Sequence, residues 1–140
     1  MYSAVLMIHS LVRWLVLVAV AARTGRALIG LGQALPYGDT DRRLSLLAVI
    51  VTDLQVTLGL VLYVLSPVIR AAWADPGASM SDGAIRMLMV EHPVTMLAGA
   101  ALVHVAHAMG KRGTDDRRRH VIASICTLLG LVLILSRIPW

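Results

Sequence analysis

The sequence predicts an all-α integral membrane protein: an antiparallel four-helix bundle of four transmembrane helices, with both termini outside. Hydrophobic residues make up 58% of the 140 residues and charged residues only 15%, whereas a soluble domain carries roughly 25% charged residues. The apolar residues are gathered in four stretches of about 20 residues, the length of helix that crosses a hydrocarbon core. At this length we expect one domain over residues 1–140.

The charge distribution points to a membrane rather than to nucleic acid. The net charge is +5, but the basic residues flank the apolar stretches, as membrane topology requires. We therefore expect the lipid bilayer as a partner and no nucleic acid. The single cysteine, Cys126, lies inside an apolar stretch, so no disulfide framework is predicted. The first segment has no basic region before it, which favours an uncleaved anchor over a signal peptide.

The four spans can be placed from their flanking residues. They are predicted to cover residues 4–22, 44–68, 86–109 and 121–138. Arg23 and Arg26 close the first span, and the Gly- and Pro-containing stretch after them is predicted to be an interfacial loop. Pro67 marks the exit of the second span. Ser81 or Asp82 is predicted to cap the third helix.

Basic residues concentrate in two of the connections, at 23–43 and 111–119, and few lie at the opposite end of the bundle. Loops rich in Lys and Arg stay on the cytoplasmic side of a membrane. The sequence therefore predicts a multi-pass protein of the bacterial inner (cytoplasmic) membrane. Its first and last residues would lie on the outer side.

Ionisable residues interrupt the spans, and a helical rise of 1.5 Å per residue gives each of them a depth. They form an outer and an inner layer, with Asp53 between. The outer layer contains His9, Arg13, Glu91 and His92, and the inner layer contains His104 or His107 together with His120. An arginine as deep as Arg13 requires a partner, so we expect an ion pair with Asp53, Glu91 or both. The alternative is that these groups only join helices.

Neutral imidazole is a good ligand for haem iron, copper or zinc. Two axial ligands of one haem must lie on facing helices at the same depth, and His9 with His92 meets this condition. His107 with His120 meets it more loosely and forms a weaker second pair. The alternatives are that His120 is interfacial and that His104 forms hydrogen bonds within the bundle. Soft copper ligands near the outer layer are Met7, Met89 and Met96, although methionine in an apolar helix usually packs in the core.

Short motifs along the chain carry a family resemblance. In order they are His9-Ser10-Leu11-Val12-Arg13-Trp14, Leu54-Gln55, Gly59-Leu60-Val61-Leu62-Tyr63, Ser66-Pro67, Glu91-His92-Pro93, His107 and the tail Ser136-Arg137-Ile138-Pro139-Trp140. Through these motifs the chain resembles, over nearly its whole length, small bacterial four-helix integral membrane proteins labelled cytochrome b-like. The resemblance implies b-type haem. Members often have His where this chain has Asp53, so no ligand role is carried over to Asp53.

These observations predict a membrane electron-transfer protein that binds b-type haem between transmembrane helices. His9 and His92 would be axial ligands, and Arg13 would pair with a haem propionate or with Glu91. A quinone is a further candidate cofactor, with Glu91 as proton acceptor. The alternatives are a non-catalytic accessory or structural subunit of a larger respiratory or other membrane complex, and a copper- or proton-handling membrane protein. No HExxH motif, Gly-rich phosphate loop or CxxC motif is present, and enzyme activity and oligomeric state stay open.

Overall fold

The computed structural model describes residues 1–139, and these form helices and connections without a strand. The helices are α1 (Tyr2–Gly32), α2 (Asp39–Leu65), α3 (Pro67–Ala74), α4 (Pro76–Ser81), α5 (Gly83–Arg86), a π-helical turn (Met87–Glu91), α6 (His92–Arg112) and α7 (Asp116–Ser136). The all-α prediction is therefore confirmed. Trp140, the last residue of the tail motif, lies outside the described residues.

Four helical segments are long and apolar enough to cross a membrane. They are α1, α2, the continuous segment Gly83–Arg112 that ends in α6, and α7. Packing is extensive between α1 and α2, α2 and α6, α6 and α7, and α7 and α1. The four helices thus close a ring in chain order, and α1 lies diagonally across from α6. This is the up-down-up-down arrangement of a bundle with short connections.

Small aliphatic side chains fill the centre of the bundle. The core is made of Val12, Val16, Ala19, Val20, Ala48, Val103, Ile134 and Ile138. Gly99 and Gly130 bring α6 and α7 together, because a Cβ built at Gly99 lies 3.3 Å from the Gly130 carbonyl oxygen and 2.9 Å from Ile134 Cγ1. Large apolar residues such as Leu15 and Val18 are exposed on the outside, which is how a bundle meets lipid.

The first span is longer than predicted. Arg23 and Arg26 do not close it, because α1 continues to Gly32. The loop predicted over 29–43 is shorter than expected and covers 33–38, between α1 and α2. The physical reason is that both arginines are neutralised within the protein. Arg23 is 1% exposed, and Arg26 donates to Asp41 Oδ2 at 2.9 Å. The helix ends at Gly32, well past both arginines, and the chain turns near Ala34, whose φ is 50°.

The connection between α2 and α6 is helical rather than a loop. α2 ends at Leu65, earlier than the predicted 68, because Pro67 starts α3 and Ser66 caps it by accepting from the Ile69 N–H at 3.3 Å. Of the two predicted caps, Asp82 is confirmed: its Oδ1 accepts from two backbone N–H groups of α5, at 2.8 and 3.0 Å. These short helices pack at the end of the bundle opposite the basic connections, and this end is called the outer end from here on.

Candidate functional site

The structure brings His9 and His92 to the same end of the bundle, on the diagonal helices α1 and α6. His9 Nε2 lies 3.2 Å from Gln55 Nε2 on α2. A Cβ built at Gly59 lies 3.3 Å from His9 Cε1, so the glycine leaves room for the ring. His92 Nδ1 lies 2.7 Å from the Arg137 carbonyl oxygen at the end of α7. Each imidazole is thus oriented by a neighbouring helix.

The hydrogen bonds leave one ring nitrogen on each histidine for other chemistry. A carbonyl oxygen only accepts, so His92 Nδ1 donates, and a neutral ring then has an unprotonated Nε2. Metal-ligating histidines are commonly held by such a bond from their other nitrogen. His9 Nδ1 is buried and has no hydrogen-bond partner.

The donor chemistry of this pair fits two axial ligands of a haem iron, which needs no further protein ligand. A bare metal ion is a poorer match, because no group of three or more His, Cys, Asp or Glu residues gathers as a metal site within residues 1–139. Two clefts, of about 240 and 160 Å³, lie at the basic end, and neither is lined by His9 or His92.

The methionines do not gather around the histidine pair. Met7 is 61% exposed on the outside of the bundle. Met89 is buried beneath α3, in a separate apolar cluster with Ile69 and Ala72. Met96 packs against the central core. Each of these side chains therefore has an ordinary packing environment.

The ion pairs that the structure gives for Glu91 and Asp53 are with residues other than Arg13, and the expected ion pair of Arg13 with either carboxylate stays a prediction. Glu91 Oε1 accepts from Arg86 Nε at 2.8 Å, and Glu91 Oε2 lies 3.3 Å from Arg137 Nε. The Arg13 guanidinium lies 5.4 Å from the ring centroid of Trp14. Two arginines, Arg86 and Arg137, therefore hold the Glu91 carboxylate.

The π-helical turn that leads to His92 has a local cause. Pro93 has no N–H, so it cannot bond the Met89 carbonyl one turn earlier. The Tyr63 hydroxyl donates to that carbonyl instead, at 2.8 Å, and Trp73 Nε1 donates to the Tyr63 oxygen at 3.2 Å. The His92 N–H bonds the Met87 carbonyl, five residues back. Such π turns often occur at functional sites, and this one sets the angle at which His92 enters the bundle.

Midway along the bundle, Asp53 and His104 form a pair on the side of the bundle that faces away from the core. Asp53 Oδ1 and His104 Nε2 are 2.7 Å apart, and the two side chains are 54% and 49% exposed. His104 thus forms a hydrogen bond within the bundle, which was one of the two interpretations of its role. The pair faces away from the core, toward the surroundings of the protein.

The weaker second histidine pair has separate partners at the basic end. His107 Nδ1 lies 3.0 Å from the Ser45 hydroxyl oxygen. His120 is fully buried rather than interfacial, because its Nε2 donates to the Leu35 carbonyl at 3.1 Å and its ring lies 5.4 Å from that of Tyr37. The chain around Tyr37 folds back over the bundle and encloses the imidazole.

A buried ionic cluster at the basic end was not anticipated from the sequence. Asp41 is 0% exposed; its Oδ2 accepts from Arg26 at 2.9 Å and from the Gly38 N–H at 3.1 Å. Its Oδ1 lies 3.8 Å from both Arg23 Nη1 and His120 Nδ1. The available signal was the pair Arg23 and Arg26, three residues apart on one helix face, followed by a carboxylate early in the next helix.

The cluster is closed by aromatic and glycine contacts. Arg23 Nη2 donates to the Tyr37 hydroxyl at 3.2 Å, and the guanidinium of Arg119 lies 5.3 Å from the centroid of the same ring. A Cβ at Gly30 would overlap the His120 ring, and one at Gly110 would overlap the Tyr37 hydroxyl. Charges this deep are tolerated because each faces an opposite charge or a polar partner. The cluster joins α1, α2 and α7 at the basic end.

The site at the outer end therefore consists of two oriented imidazoles, a glutamine, and a carboxylate held by two arginines. Comparison with known proteins adds no assignment to this geometry. The chain matches no protein-family model, no curated protein and no solved structure.

Proposed function

We propose that this chain is an electron-transfer protein of the bacterial inner membrane that binds b-type haem at the outer end of its bundle. The observation that supports the proposal is the pair of imidazoles on diagonal helices at one end of the bundle, each with one ring nitrogen in a hydrogen bond to a neighbouring helix and, within residues 1–139, the other without one. When bound, the haem would supply a one-electron couple within the membrane. The basic connections favour the cytoplasm at the opposite end.

The residues of the chain divide into ligands and supports. His9 and His92 would hold the iron, and Gln55 and the Arg137 carbonyl would fix the orientation of their rings. Fixed rings reduce the rearrangement that accompanies electron transfer. Arg13 is the candidate cation for a propionate, while Glu91 is already neutralised by two arginines. A quinone in the same region is the further candidate cofactor, with Glu91 as its proton acceptor.

The test is a reduced-minus-oxidised visible spectrum of the detergent-purified chain, expressed with haem supplied, together with a pyridine haemochrome count. We expect a b-type spectrum that is lost or strongly shifted in His9→Ala and in His92→Ala. The control is His104→Ala, which removes an imidazole that is exposed and paired with Asp53. That variant should keep the wild-type spectrum.

Two outcomes contradict the proposal. A colourless wild type with a native circular dichroism spectrum shows that no haem binds and favours the accessory subunit, or a copper- or proton-handling role. A haem spectrum that survives both His9→Ala and His92→Ala, but is lost in His107→Ala or His120→Ala, moves the site to the basic end. Retention of helicity by each variant distinguishes loss of a ligand from loss of the fold.

A further inference from the structure

Asp53 and His104 are ionisable groups placed where a membrane solvates them least. Asp53 lies about 20 Å from either end of α2, at 1.5 Å per residue, which is near the centre of a hydrocarbon core about 30 Å thick. Both side chains are about half exposed on the outside of the bundle. Ionisable side chains inside a membrane nearly always face protein or a water-filled cavity. This pair therefore indicates a surface that is covered in the membrane.

The chemistry of the pair is self-complementary. Asp53 Oδ1 and His104 Nε2 are used within the protomer. Within residues 1–139, no hydrogen bond joins Asp53 Oδ2 or His104 Nδ1 to another group. A neutral ring that donates from Nε2 would have an acceptor at Nδ1, so the proposed pairing uses the protonated imidazole, in which both nitrogens donate. Each protomer then has one further acceptor, Asp53 Oδ2, and one further donor, His104 Nδ1. A two-fold axis beside the pair would bring the carboxylate of one copy to the imidazole of the other, twice. A closed two-fold interface uses the same patch on both copies.

The residues around the pair suit contact between helices. Thr57 is exposed one turn from Asp53, and its hydroxyl donates to the Asp53 carbonyl oxygen at 2.8 Å. Ala98 and Ala101 are exposed on α6, one to two turns from His104. Small residues and hydroxyls let membrane helices approach closely. The outward face of α2 and α6 around Asp53 and His104 thus combines a polar centre and several small residues with larger exposed apolar side chains such as Ile50 and Leu97.

We propose that this α2–α6 face is the interface of a homodimer in the membrane, in which Asp53 of each copy pairs with His104 of the other. The proposal concerns a different part of the molecule from the histidine pair at the outer end, and it does not depend on haem. It predicts that the dimer affinity depends on one carboxylate facing one imidazole across the interface. Replacing one group should weaken the dimer, and exchanging the two groups should restore it.

The first experiment measures the monomer–dimer equilibrium in liposomes by single-molecule photobleaching of labelled protein. Asp53→His should raise the dimer dissociation constant by roughly three-fold to fifteen-fold, the range found for polar contacts between membrane helices. The exchange variant carrying both Asp53→His and His104→Asp should recover most of the wild-type affinity, because it restores one carboxylate and one imidazole per copy. Circular dichroism checks that each variant is folded.

The second experiment locates the interface without altering the pair. In a Cys126→Ala background, Thr57→Cys should form an intermolecular disulfide on oxidation. The matched control, Leu15→Cys, places a thiol on the exposed face of α1, where Leu15 is 58% exposed, and should not crosslink. Oxidation in native membranes tests whether the same thiol captures a different protein.

Three results overturn the proposal. They are a wild type that stays monomeric at high protein-to-lipid ratio, a dimer whose affinity is unchanged by Asp53→His, and crosslinking through position 15 rather than position 57. Capture of another membrane protein through position 57, without homodimer, overturns the second copy as occupant and assigns the face to a different subunit.

Discussion

Removing the buried carboxylate at the basic end should destabilise the protein strongly. Asp41→Asn keeps the size of the side chain but removes the charge that faces Arg23, which is 1% exposed, and Arg26, 2.9 Å away. Breaking a buried pair by removing one partner costs about 3–5 kcal/mol, because the other charge stays buried and uncompensated. A loss of about 3 kcal/mol already shifts the folding equilibrium more than about a hundredfold.

The neighbouring residue provides a matched control for this measurement. Asp39 lies in the same first turn of α2, so Asp39→Asn removes the same favourable interaction with the helix N-terminus. Its ion pair with Arg42, however, is exposed at the surface, where such pairs contribute little. Both variants would be unfolded reversibly with SDS in mixed micelles and followed by circular dichroism. We expect a large loss of stability for Asp41→Asn and a small one for Asp39→Asn.

Equal losses in the two variants would refute this reasoning, because they would show that the helix N-terminus rather than the buried charge determines the cost. A loss below about 1 kcal/mol for Asp41→Asn would refute it as well, since a value that small is typical of an exposed pair. Arg23 would then be stabilised by Tyr37 and its other neighbours without the carboxylate. A second variant, Arg26→Gln, should lose less than Asp41→Asn, because Arg26 is 22% exposed and its removal leaves Arg23 facing the carboxylate.

Two further variants test close contacts. Gly30→Ala should lower the unfolding midpoint, because the new methyl group overlaps the His120 ring, whereas Gly32→Ala should not, since nothing lies within 4 Å of a Cβ there; equal midpoints would contradict the contact. Tyr63→Phe should increase hydrogen exchange in the π-helical turn that precedes His92, because it removes the donor to the turn's carbonyl oxygen; unchanged exchange would show that the turn forms without it.

The fold was predictable because it depends mainly on the burial of long apolar stretches, which can be recognised directly in the sequence. Four apolar stretches of sufficient length require four helices in a bilayer, where backbone groups must be satisfied within each segment. The end of α1 was not predictable in this way. Arg23 and Arg26 have the composition of a span boundary, and only the three-dimensional position of Asp41 shows that the helix continues past them. Composition does not distinguish a charge that meets water from one that meets another charge.

The sequence predicted how far along their helices the candidate site residues lie, but it did not predict which side chains they contact. The rise per residue placed His9 and His92 at one level, and the structure places them at the same end of the bundle. The partners of Arg13 and Glu91 depend on which faces of their helices meet, and on the turn before His92. That turn is π-helical because of Pro93 and Tyr63, which are thirty residues apart, so a count of residues along a regular helix misplaces what precedes it.

The distribution of charge along the bundle separates the two proposals. Near the ends of the bundle, where water is close, Asp41 and Glu91 pair with arginines within the protein. In the middle, where a charge is least tolerated, Asp53 and His104 lie on the outside. Lipid solvates charged groups poorly, so a single bundle with these two side chains exposed to lipid would be unfavourable. The cost is removed when another protein surface covers the middle of the bundle. It follows that His92→Ala should remove a haem spectrum without changing dimerisation, whereas Asp53→His should weaken the dimer and leave the spectrum intact.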